Sequence, residues 1–297
     1  GGNYEKILVT GCNGQLGRAI QKEYGDSVEF ILTDVVEGEG IFSLDITNEK
    51  EVLDFVRREQ PDVIINCAAH TNVDACEKQW DLAYKINALG PRNLSIAATE
   101  TDAKLVHVST DYVFSGDGTR PYTEFDGPNP VSAYGKTKLE GEKFVQQFAK
   151  KFFILRTAWL YGDGKNFVKT MLRLAKTHDE VTVVEDQLGS PTSASELAKM
   201  IHFLEPQKTT DCFTLPARGI PTGRISRRLF LRNGAFHEGS PCIQRGVCPD
   251  ESGHCPPAGV FHSGKLYAEA DGAGIFHGSL GGRHRRVSEG YPLEDIQ

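Results

Sequence analysis

Lys6-Ile7-Leu8-Val9-Thr10-Gly11-Cys12-Asn13-Gly14-Gln15-Leu16-Gly17 is the stretch on which the fold turns. Its first five residues are apolar and partly β-branched, and glycine bounds them, as in a strand buried on both faces of a parallel sheet. Arg18-Ala19-Ile20-Gln21-Lys22-Glu23 then reads as a helix. Strand, glycines and helix in that order form the context in which a glycine-rich turn cradles a dinucleotide. Gly11 permits the tight turn, and Gly14 lets the backbone approach the pyrophosphate. Gly17 lets the helix pack close to the strand, with its free N–H groups facing the anion. Asn13, Gln15 and Leu16 are expected to share that cofactor contact. Glycines at this spacing also occur in ordinary turns, so the stretch needs support from further along the chain.

That support comes from Val28–Thr33, a second strand ending in Asp34, 17 residues beyond Gly17. An acid there can accept hydrogen bonds from the adenosine ribose. Asp45 and Ile46, after a third short segment, are expected to flank the adenine. Val35, Val36 and Glu37 offer no cation for a 2′-phosphate, which favours NADH, while Arg18 could still reach such a phosphate. The reading therefore keeps both NADH and NADPH.

A second constellation lies about 120 residues on. Val131–Glu142 reads as a helix with Tyr134 and Lys138 on one face, since residues four apart are neighbours. A phenol of ordinary pKa near 10 exchanges protons poorly at neutral pH. A nearby ammonium stabilises the phenolate and lowers that pKa, and Lys138 is also expected to hold the nicotinamide ribose. Taken alone, such a pair is most often a plain amphipathic surface. The run Leu105–Val108 upstream is a strand that ends in Ser109-Thr110-Asp111. Hydroxyls at the carboxyl end of a parallel strand face the crevice in which α/β sheets bind ligands. Ser109 or Thr110 is thus expected to bond the reacting carbonyl beside Tyr134, the alternative being that they cap the following turn.

Longer stretches extend these motifs. They include Asp62-Val-Ile-Ile-Asn-Cys-Ala-Ala-His-Thr-Asn-Val-Asp74, Ser109-Thr-Asp-Tyr-Val-Phe114 and Tyr134-Gly-Lys-Thr-Lys-Leu-Glu-Gly-Glu142. Arg156-Thr-Ala-Trp-Leu-Tyr-Gly162, Asn166-Phe-Val-Lys-Thr-Met171 and Asp186-Gln-Leu-Gly-Ser-Pro-Thr-Ser193 follow. Over roughly residues 4–205 the chain resembles the extended short-chain dehydrogenase/reductase family. The resemblance implies a reductase acting on the C4 ketone of a nucleotide-linked deoxysugar, with dTDP-4-dehydro-L-rhamnose the expected substrate and dTDP-L-rhamnose the product. It implies that Ala68, Ala69 and His70 line the cofactor, that Thr110 and Asp111 touch the dTDP-sugar, and that Trp159 walls the sugar. It also allows Mg2+ and a homodimer. On the residues alone, His70 could be a plain loop histidine and Trp159 a core residue. Two alternatives stay open: a nucleotide-sugar epimerase or dehydratase of the same family, and a non-catalytic dinucleotide-binding regulatory subunit.

Helical periodicity at Glu49–Glu59, Asp81–Ala98, 134–148, 166–177 and 193–204 alternates with the strands. Ser193 is expected to cap the last of these helices, with Glu196 completing a capping box. The expected fold is a doubly wound parallel α/β sheet of Rossmann type with a smaller C-terminal substrate lobe. Residues 1–155 carry the dinucleotide domain and the Tyr/Lys pair; 156–212 carry the remaining strands and the start of the substrate lobe. A net charge of −7 and the lack of a basic stripe argue against a nucleic-acid partner. The absence of a long apolar run and of a secretory signal pattern predicts a cytoplasmic protein with no membrane partner. Cys12, Cys67 and Cys76 sit without a disulfide-like pattern, which suits a reducing compartment.

Residues 213–297 differ in kind. Up to residue 212 the chain has 16 Lys and 7 Arg; from 213 it has 1 Lys and 9 Arg, together with 14 of the 31 glycines. So abrupt a switch predicts a shifted reading frame after about residue 212, with a divergent or disordered tail as the plainer alternative. Either way the family's sugar-closing lobe is not expected to form. Cys242, Cys248, His254 and Cys255 lack the paired short gaps of common zinc sites, so no metal site is expected.

Overall fold

A computed structural model of the chain describes residues 5–117, 120–174, 176–177, 188–189, 191–204, 211–214 and 220–221. In chain order the elements begin β1 (Lys6–Thr10), α1 (Gln15–Tyr24), β2 (Glu29–Asp34), β3 (Ile41–Ser43), α2 (Glu49–Glu59) and β4 (Val63–Asn66). Next come α3 (Val73–Lys78), α4 (Trp80–Tyr84), a π-helical turn (Lys85–Leu89), α5 (Gly90–Glu100), β5 (Lys104–Thr110), α6 (Ala133–Phe148) and β6 (Phe152–Thr157). The rest are β7 (Leu160–Tyr161), α7 (Phe167–Leu174), β8 (Leu188–Gly189), β9 (Thr192–Ser193), α8 (Ala194–Leu204), β10 (Asp211–Thr214) and β11 (Ile220–Pro221).

Seven of these strands form one parallel sheet in the order β10-β6-β5-β4-β1-β2-β3. The order reverses between β1 and β4, the switch point outside which doubly wound sheets bind ligands. Strand alternation explains why the sequence runs are continuously apolar. Ile7 and Val9 face one side, where they join Leu16 and Ile20 of α1 and Leu197, Ala198 and Ile201 of α8. Leu8 faces the other, among Val52 and Phe55 of α2, Leu94 of α5 and Val145 of α6. The expected Rossmann-type sheet is therefore present, with helices on both faces.

Element ends follow local chemistry. Asn48 accepts the Glu51 N–H and caps α2, while Ser132 accepts the Gly135 N–H at 3.0 Å and caps α6. Ser193 accepts from the Glu196 N–H at 3.5 Å, whereas the Glu196 carboxylate takes Lys199 rather than closing a capping box. The helix expected over Asp81–Ala98 is not a single α-helix: the π turn at Lys85–Leu89 interrupts it. The line drawn at residue 155 falls inside β6, which pairs with β10 from the second segment. The expectations for 213–297, including the four Cys/His positions, lie outside the described residues apart from Phe213, Thr214, Ile220 and Pro221. Among the described residues, no helix is long and apolar enough to cross a membrane.

Candidate active site

The glycine turn closes as its sequence predicts. Gly11 has φ +64°, and a Cβ there would lie 2.8 Å from the Ala68 nitrogen and 2.9 Å from its Cα. A Cβ on Gly17 would lie 2.6 Å from the Cys12 Cα and carbonyl oxygen, so α1 can approach β1 only with glycine at this position. At Gly14, the residue before α1, a Cβ would meet only the Gly11 oxygen, at 3.2 Å. Asp34 stands at the end of β2 and braces the turn: its carboxylate accepts the Asn13 N–H at 3.1 Å and the Val35 N–H at 2.8 Å.

Not every residue of the expected cofactor set offers its side chain. Leu16 and Ile46 are each 4% exposed and belong to the two core clusters, so their side chains serve the core. Helical phase turns Leu16 toward the sheet, and Ile46 packs under Gly90. Gln15 is directed away along α1, where its oxygen accepts the Gly162 N–H at 2.9 Å. Asp45 is exposed and accepts the Thr47 N–H at 2.9 Å, a turn leading into α2. Arg18 donates to the Asn13 and Asp163 carbonyls, which ties the glycine turn to the loop after β7.

Ala68 and His70 follow β4. The His70 main chain is held on both sides by Asn87, which accepts its N–H at 2.8 Å and donates to its carbonyl at 3.0 Å. Asn87 also donates to the Thr137 hydroxyl at 3.2 Å. It is fully buried within the π turn, a geometry that recurs at functional sites because the extra residue re-aims a side chain. Sequence reading passed over this residue. The signal was an asparagine set before Gly90-Pro91 inside a helical pattern. Ala69 lies between these two anchored positions, half-buried.

At the end of β5 the structure separates two hydroxyls that the sequence left interchangeable. Ser109 donates to Glu142 Oε1 at 2.5 Å, deep in the protein, so its hydroxyl proton is committed there. Thr110 donates to Asp111 Oδ1 at 3.1 Å and accepts the Tyr112 N–H at 3.2 Å, and it lies close enough to Tyr134 to favour the ionised phenol. Successive strand residues differ in direction, and this decides which hydroxyl serves the crevice. The Tyr112 ring meets the Tyr134 ring edge-on, with centroids 5.4 Å apart.

Lys138 lies one turn along α6 from Tyr134, 2% exposed, and donates to the Val108 carbonyl at 2.7 Å. Burial lowers its pKa to about 8, with Glu142 and Cys67 opposing the shift. The Tyr134 phenol stands raised rather than lowered from its ordinary value. Burial raises the phenol, Thr110 lowers it in part and Asp111 raises it further. Asp111 is itself pushed up to about 6 by burial. Trp159 has φ +46°, and its half-buried ring lies against Gly189, where a Cβ would come within 2.5 Å of it.

The RmlD substrate binding domain model matches residues 5–215. The chain belongs to this family. The match stops within a few residues of the change in composition. The dTDP-4-dehydrorhamnose reductase of Salmonella typhimurium is 47% identical over 193 residues, which cover 65% of this chain and 64% of that protein. The chain thus matches under two thirds of the length of that RmlD-family relative. The crystal structure of a dTDP-4-dehydrorhamnose reductase from Clostridium acetobutylicum superposes with a TM-score of 0.73 at 53% identity, covering 77% of this chain and 81% of that one. The dTDP-4-dehydrorhamnose reductase from Bacillus anthracis, solved in complex with NADP, has a TM-score of 0.72 at 41% identity, covering 79% and 82%.

Proposed function

We propose that the chain is a reductase that uses NADPH or NADH to reduce the C4 ketone of dTDP-4-dehydro-L-rhamnose to dTDP-L-rhamnose. The observation that carries the reading is the grouping of Thr110 at the end of β5 with Tyr134 and Lys138 of α6, in a sheet whose glycine turn enters α1 with no side-chain cap at Gly14. The names of the relatives support the same chemistry. The residues fit a dinucleotide, because Gly11 and Gly17 permit the tight turn and the close strand–helix packing while Gly14 leaves backbone open to a pyrophosphate. Asp34 suits the free ribose hydroxyls of NADH, and exposed Arg18 on the same turn suits the 2′-phosphate of NADPH.

When bound, the nicotinamide supplies a hydride to the sugar C4. Tyr134 gives its phenolic proton to the ketone oxygen, and Thr110 orients that oxygen and shares the charge left on the phenolate. Lys138 supplies the compensating positive charge. Asp111 and Trp159 border the sugar, and Ala68, Ala69 and His70 border the cofactor. No group of three His, Cys, Asp or Glu side chains converges among the described residues, so Mg2+ has no support beyond the family resemblance. Free Cys12, Cys67, Cys76 and Cys212 suit the cytoplasm, and a homodimer is expected from the family resemblance. We read 213–297 as a shifted-frame segment standing in place of a sugar-covering lobe. Translating the gene around codon 212 in all three frames tests this, and a lack of any reductase-like alternative would refute it.

Replacing Tyr134 by Phe should cut turnover by about 100- to 10,000-fold while dinucleotide affinity, followed by NADPH and NADH fluorescence, stays nearly unchanged. Undiminished turnover would remove Tyr134 from the mechanism. Purified protein carrying non-exchanging NAD would favour an epimerase or dehydratase instead. Dinucleotide binding with no turnover of any keto-sugar would favour a regulatory subunit.

A further inference from the structure

We propose that Glu142 is a positioning residue of this site, one that fixes the end of β5 through Ser109 and so sets the Val108 carbonyl, which takes the Lys138 ammonium, where Tyr134 and Thr110 need it. The inference rests on the reductase reading above. Tyr134, Lys138 and Glu142 recur every four residues on α6 and so share one face, and all three are buried. Glu142, 1% exposed, is gripped from two strands at once. Arg156 of β6 donates to it through Nε at 3.0 and 3.1 Å and through a terminal nitrogen at 2.6 Å, and Ser109 of β5 donates at 2.5 Å. Ser109 and Arg156 are register partners across the β5–β6 pair. One carboxylate therefore pins α6 to both strands, next to Thr110. The Arg156 guanidinium rests over the Phe114 ring, 5.1 Å from its centroid, which fixes the clamp from behind.

Among the described residues, the groups that act on Lys138 are Glu142 from α6, His107 and the Val108 carbonyl from β5, and Cys67 after β4, with Arg156 behind Glu142. Burial keeps His107 neutral and Cys67 protonated at neutral pH. Glu142 is then the anion on which the buried ammonium depends, and it acts to keep Lys138 charged.

The test follows the Lys138 side-chain carbon by NMR against pH, assigned by its loss in Lys138→Met, alongside kcat and KM. In Glu142→Gln, the Lys138 midpoint should fall by about one pH unit. The alkaline fall in kcat should move with it, giving a roughly tenfold loss near pH 9 that recovers near pH 6. Cofactor KM near pH 6 should stay unchanged. Arg156→Lys keeps a cation against the carboxylate and should hold the midpoint near that of the unmodified protein. Should Glu142→Gln not fold, the double variant Glu142→Gln/Arg156→Met leaves no uncompensated buried charge and should lower the midpoint in the same direction. A midpoint unmoved in the folded variant overturns the inference. The NMR titration needs no substrate, so failure of the unmodified protein to reduce any keto-sugar would sink only the reductase reading.

Discussion

Thr110, at the end of β5, stands next to Tyr134 of α6 and eases ionisation of its phenol against the burial that raises it. A hydrogen bond to a group that becomes charged is worth about 1.5–3 kcal/mol. Thr110→Val should therefore lower kcat about tenfold to a hundredfold, with cofactor KM little changed. Ser109→Ala should leave the phenol's hydrogen bond intact. A Thr110→Val enzyme as fast as the parent would place the carbonyl-orienting role elsewhere.

Asp111 carries a cost the fold bears for its site. Its carboxyl is raised from 3.8 to about 6 by burial, so the folded protein holds that proton more tightly than the unfolded chain. The effect favours the fold at low pH and is lost as pH rises through about 6. Asp111 keeps part of its surface open, so the ionised form costs at most about 3 kcal/mol. Asp111→Asn should be more stable than the parent near pH 8 by up to that amount, and the gain should vanish below about pH 4. Urea unfolding at both pH values checks this; an equal difference at each would contradict it.

Asn87 joins three segments from inside the π turn. Asn87→Leu strips the His70 N–H and carbonyl of their partners in a buried place, which costs about 1–3 kcal/mol for each group left unpaired. We expect a lowered Tm together with weaker dinucleotide binding, because the His70 segment borders the cofactor. Loss of stability with unchanged affinity would make Asn87 purely architectural.

Gly17→Ala introduces a methyl group that main-chain atoms of Cys12 already exclude. Backbone cannot rotate aside as a side chain can, so overpacking of about 1–3 kcal/mol is expected, and dinucleotide affinity should drop sharply. Gly25→Ala is a control for conformation alone, since Gly25 has φ +52° in open space and should affect stability without touching affinity.

The sheet was legible in the sequence because both its faces are buried, so each central strand appears as a short unbroken apolar run such as Val63-Ile64-Ile65 or Phe152-Phe153-Ile154-Leu155. Helix α2 was legible to the residue, since Asn48 and the acidic first turn mark its start. Other features left no periodic trace. The π turn adds one residue to a single helical turn inside 81–98, too small a slip to show in a pattern that still reads as helix. The choice between Ser109 and Thr110 depends on which way each leaves the strand, and composition is blind to that. The roles of Glu142 and Arg156 were missed because they lie 14 positions apart and meet only through the β5–β6 pairing. The paired two-residue strands β7 and β9 are too short to show alternation.

β10 has a consequence for anyone shortening this protein. Its four residues, Asp211–Thr214, are hydrogen-bonded to β6 at the rim of the sheet. A product ending near 205 would bare the main-chain donors and acceptors of β6 along Phe153, Ile154 and Leu155, which are fully buried in the intact chain. An unpaired apolar rim of this kind recruits other chains. Cutting there should yield self-associating material, whereas a cut just after 214 should leave the rim capped and the product dispersed.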